Sequence, residues 1–68
     1  MVRIWQYQIE REGGQRYGPS WNHEQEVKDY IVKLASFSNE ISIEPVKIAK
    51  YWVDVPDHQV RGVAVEVV

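Results

Sequence analysis

The sequence predicts an α+β domain in which one helix packs across one face of a mainly antiparallel sheet of three to four strands, in the order β-(β)-α-β-β. Three observations carry this reading. The first ten residues alternate and are rich in strand formers. Residues 21–36 carry a single apolar stripe at helical spacing. The last third holds two β-rich runs on either side of Val55-Pro56-Asp57-His58.

Residues 2–10 form the first predicted strand. Arg3, Trp5, Tyr7 and Ile9 share one face, and Val2, Ile4, Gln6 and Gln8 share the other. Successive strand side chains point to opposite faces, and the bulkier first set is assigned to the core. Glu12-Gly13-Gly14-Gln15 follows as a turn, because glycine reaches positive φ without steric cost. Gln15-Arg16-Tyr17 reads either as a short returning strand or as an irregular loop, ended by Gly18-Pro19.

The helix is predicted over 21–36. Val27, Tyr30, Ile31 and Leu34 fall at i, i+3, i+4 and i+7, which places them on one buried face. Ser20 or Asn22 is a candidate N-cap, with Asn22 and Gln25 resembling a capping box. Glu24, Glu26 and Asp29 suit the first half of the helix dipole. Glu24–Lys28 and Asp29–Lys33 are spaced as i,i+4 pairs. Ser36 to Asn39 provide the exit, with Asn39 suited to a left-handed position.

Residues 41–54 and 59–67 read as a β-hairpin. Pairing Asp54 with Gln59 sets Val53 opposite Val60, Tyr51 opposite Gly62, Ala49 opposite Ala64 and Lys47 opposite Glu66. Trp52 then meets Arg61, and favourable cross-strand pairs of this kind are each worth about 0.2–1 kcal/mol. Pro45 marks a bulge or the start of the pairing. The helix reverses the chain after the first strand, so the strand from 41 is expected to run parallel to the first and the last strand antiparallel to both. The apolar run Val63 to Val68 suits a central strand, placed between the first strand and the strand from 46.

With 68 residues the chain is read as one domain, residues 1–68, of a size that folds with little margin. Hydrophobic residues at 44% and charged residues at 26% are globular proportions. The absence of cysteine excludes disulfides and thiolate metal sites. No apolar run is long enough to span a bilayer, and Met1 to Gln6 do not resemble a signal peptide. The expectation is a cytoplasmic protein that does not engage membranes.

No motif specifies a reaction or a cofactor. His23 stands at the predicted helix start and His58 in a loop, with nothing in the sequence to bring them together. Ser20, Ser36, Ser38 and Ser42 occupy no nucleophile motif. Gly13-Gly14 before Arg16 lacks the strand-to-helix context of a phosphate loop. The expected catalytic, cofactor and metal residues are therefore none.

Among the three Trp, four Tyr and one Phe, Trp5, Tyr30 and Phe37 are expected in the core, and Trp21 and Tyr51 at the surface. One helix covers one sheet face only. The other face would show Ala49, Tyr51, Val53, Val60 and Ala64, more apolar than a solvated face needs to be. This strip is the expected protein-binding surface of a non-enzymatic adaptor or inhibitor, or of a homodimer. The alternative is a single-stranded nucleic-acid module using Lys47, Tyr51 and Arg61, or Arg11, Arg16 and Tyr17. A net charge of -2 disfavours it, because phosphate neutralisation would contribute little.

Overall fold

The computed structural model describes residues 1–37 and 46–68. Their order is β1 (Val2–Glu10), β2 (Arg16–Trp21), α1 (Glu24–Phe37), β3 (Lys47–Val55) and a one-turn helix, α2 (Asp57–Val60). The strands form an open antiparallel sheet in the order β2-β1-β3. This is the α+β architecture expected from the sequence. The proposed exit at Asn39, the bulge at Pro45 and the first residues of the strand from 41 lie outside the described residues.

The β1–β2 turn forms as its glycines require. Gly13 and Gly14 adopt φ of 97° and 86°, and the Arg11 N–H donates to the Gln15 carbonyl at 2.7 Å. The returning segment is a strand, longer than residues 15–17. Gly18-Pro19 does not end it. Tyr7 faces Trp21 and Ile9 faces Tyr17, so a bulge absorbs the residues between. Proline is tolerated there because β2 is an edge strand.

That full strand corrects the direction of β3. The chain turns once at the β1–β2 hairpin and again through α1, so β3 runs antiparallel to β1, from Val2 facing Val55 to Glu10 facing Lys47. Strand β1, not the C-terminal segment, is central. Its composition explains why: Tyr7 and Ile9 are buried on one face and Ile4 on the other.

The predicted stripe of α1 holds. Val27 is fully buried against Tyr7 and Ile9, with Tyr30, Ile31 and Leu34 packed around them. Glu24 and Lys28 pair at 3.7 Å. Asn22 is not a cap in the expected sense, since its Oδ1 accepts from Gln6 Nε2. Phe37, expected in the core, is 87% exposed at the last position of α1.

The C-terminal hairpin does not form. After β3, Pro56 at φ -62° leads into α2, and Gly62 at φ 74° turns the chain again. The pairings of Val53 with Val60, Tyr51 with Gly62 and Ala49 with Ala64 are therefore absent. The segment does reach β1, antiparallel, but on the β2 side. Ile4 bridges Val67, the Trp5 N–H donates to the Glu66 carbonyl at 2.8 Å, and the Val68 N–H donates to the Arg3 carbonyl at 2.9 Å. No helix among the described residues is long and apolar enough to cross a membrane.

Candidate interaction surface

The five residues expected to form one strip are divided by this chain path. Ala49, Tyr51 and Val53 share the face of β3 turned away from α1 and are half-buried. Val60 lies on α2 and lines a shallow cavity with Ile4, Val55, Val63 and Val65. Ala64 is exposed in the terminal segment. The chain's own C-terminus thus covers the Ile4 end of the face.

The remaining part carries its own polar cover. The Arg16 guanidinium lies 4.0 Å from the centre of the Tyr51 ring, and Tyr51 Oη donates to Gln8 Oε1 at 3.2 Å. Tyr51 and Trp21, expected at the surface, are half-buried, while Trp52 is 50% exposed. On the α1 side of the sheet, Arg3 lies 4.0 Å from the Trp52 ring centre and meets Asp54 at 3.0 Å. That carboxylate holds the Arg3 guanidinium above its ordinary pKa through a hydrogen bond and through its charge. Lys50 folds its ammonium 4.5 Å from the centre of the Trp5 ring.

Among the described residues, the outer edge of β3 is, with that of β2, one of the two open edges of the sheet, and no strand pairs with it over its nine residues. Its phase follows from the hydrogen bonds on the far side of β1. Arg3 and Trp5 turn their backbone groups to the C-terminal segment, so Val2, Ile4, Gln6 and Gln8 turn theirs to β3. Their partners Val55, Val53, Tyr51 and Ala49 face inward. By alternation, Ile48, Lys50, Trp52 and Asp54 direct their N–H and C=O groups outward. Helix α1 packs chiefly over β1 and β2.

His23 has partners the sequence did not indicate. Its Nδ1 lies 3.4 Å from Glu66 Oε2, and its Nε2 lies 3.0 Å from the Ala64 carbonyl oxygen. Tyr7 Oη donates to Glu66 Oε1 at 3.1 Å. Burial raises the Tyr7 pKa, and the Glu66 hydrogen bond and the charges of Glu66 and Glu24 raise it further. The polar atoms of this cluster are turned on one another, which suits a clasp for the C-terminal segment better than an acid–base site. Among the described residues, no group of three His, Asp or Glu could hold a metal ion.

No family model, no curated protein and no solved structure matches this chain.

Proposed function

We propose that this protein is a non-enzymatic interaction module that takes an extended protein segment onto the outer edge of β3. A single observation carries the reading: a nine-residue strand whose outward backbone groups have no partner among the described residues, beside the half-exposed Trp52. Strand addition supplies affinity through main-chain hydrogen bonds and selectivity through alternate side chains. The half-buried Ala49, Tyr51 and Val53 flank such a segment on one face, and Trp52 on the other. A second copy of the chain is one partner that fits.

The nucleic-acid reading is weaker. Stacking needs open rings, and Arg3, Arg16 and Arg11 already lie over Trp52, Tyr51 and Tyr17.

Capture of partners from the host by wild type, Lys50→Ala and Lys50→Pro tests the edge. Proline at position 50 removes an outward N–H and leaves the inward ladder to β1 intact. The expected result is a partner retained by Lys50→Ala and lost by Lys50→Pro. Equal recovery by all three would show that the edge is not the binding site.

A further inference from the structure

We infer that the occupant of the β3 edge is a second copy of this chain, paired antiparallel about a two-fold axis through Trp52. The inference rests on the edge reading above and adds the partner and the register.

An edge strand pairing with its own copy must set outward-facing residues against outward-facing residues, which here means Ile48, Lys50, Trp52 and Asp54. Placing Trp52 opposite its symmetry mate then sets Lys50 of each copy opposite Asp54 of the other. On the opposite face, Tyr51 meets Val53 and Ala49 meets Val55, again twice each. Opposite charges and aromatic–β-branched pairs are the favourable cross-strand combinations, and a two-fold axis makes each occur in duplicate.

The existing structure positions the carboxylate of that pair, and Lys50 would turn outward from Trp5 to meet it. Asp54 is held in place by Arg3 at 3.0 Å, so a lysine from the other copy would complete a row of alternating charge: Arg3, Asp54, Lys50. Lys50 lies back over Trp5 rather than across the edge, and it does not shield the backbone as an edge lysine otherwise would. Pro56 follows the strand with no N–H to offer. It ends the ladder where Ile48 of the other copy would come opposite. The neighbouring register, centred on Tyr51, sets Asp54 against Ile48 and Lys50 against Trp52, with no opposite charges matched.

The register makes an unusual demand on charge variants. Lys50→Asp places two aspartates opposite two aspartates in its own homodimer, and Asp54→Lys places two lysines opposite two lysines. Mixed together, the two variants again set aspartate against lysine at both positions. Sedimentation equilibrium of the full chain at high micromolar concentration should therefore give a wild-type species of about twice the 8.0 kDa chain mass. Each single variant should dissociate at least about tenfold more readily, the scale of one to two reversed charge pairs. An equimolar mixture should recover the dimer.

Circular dichroism of each variant separates loss of pairing from loss of fold. A wild-type chain found only at 8.0 kDa would overturn the inference. So would single variants that dimerise as well as wild type, or a folded mixture that stays monomeric. A monomeric wild type whose captured partner is still lost with Lys50→Pro would leave the edge reading standing and remove only the second copy as its occupant.

Discussion

Tyr7 joins burial to chemistry. Its ring belongs to the small core with Ile9 and Val27, and its hydroxyl reaches Glu66 in the C-terminal segment. Its pKa is raised in the fold above the ordinary 10.0, by burial first and by Glu66 second. The stability linked to this group is fully present below the unfolded value and is lost as pH rises through the folded one. The midpoint of thermal unfolding should therefore fall from about pH 10 upward, and Tyr7→Phe should flatten that fall. At neutral pH Tyr7→Phe should cost about 0.5–1.5 kcal/mol, the net worth of a hydrogen bond. Melting curves of the two proteins across this range check both points, and parallel alkaline slopes would assign the loss to other groups. The sequence supported Tyr7 as a core residue through its strand face. It could not indicate the phenol's partner, because Glu66 lies 59 positions away and no local pattern connects them. A separation of 41 positions from Ala64 hid the role of His23 in the same way.

The elements were readable where their periodicity was long, and obscure where a short apolar run served two geometries equally. Helix α1 declared itself through Val27, Tyr30, Ile31 and Leu34. The segment from Gln59 to Val67 alternated well enough to pass as a strand, yet Pro56, Asp57 and Gly62 had sufficient local preference to coil it first. Strand β2 was concealed by Gly18-Pro19, a pair that usually ends a strand but here forms the bulge. Gly18 has φ of 75°, and an added Cβ would come within 3.2 Å of the Tyr30 ring. Gly13 has φ of 97° with open space around it. Both alanine substitutions strain the backbone by about 1 kcal/mol, and only Gly18→Ala also pushes against α1. Urea unfolding should show Gly18→Ala to be the more destabilised. Equal midpoints would mean that Tyr30 moves aside freely. Of the expected surface, Ala49, Tyr51 and Val53 do share a face. Val60 and Ala64 left it because their places there depended on the hairpin register.

Across the whole molecule, β1 is held on its two sides with unequal strength. Strand β3 pairs with it along all nine residues. The other side is shared between β2 and a single bridge to the C-terminal segment. Segments with few contacts open locally at less cost than the global transition. The Trp5 amide, bonded to the Glu66 carbonyl, should exchange with solvent at least about tenfold faster than the Gln6 amide, which faces β3. Amide exchange followed by NMR measures this, and equal protection would mean that the terminal segment opens only with the rest. The central position of β1 also governs the order of events in folding. Strand β1 is synthesised before the strands that pair with it, and its long ladder joins residues as far apart as Val2 and Val55. Such non-local closure is slow. Until β3 and the C-terminal segment emerge, one side of β1 stays unpaired and Ile4 uncovered, so the chain is exposed to aggregation during its own synthesis.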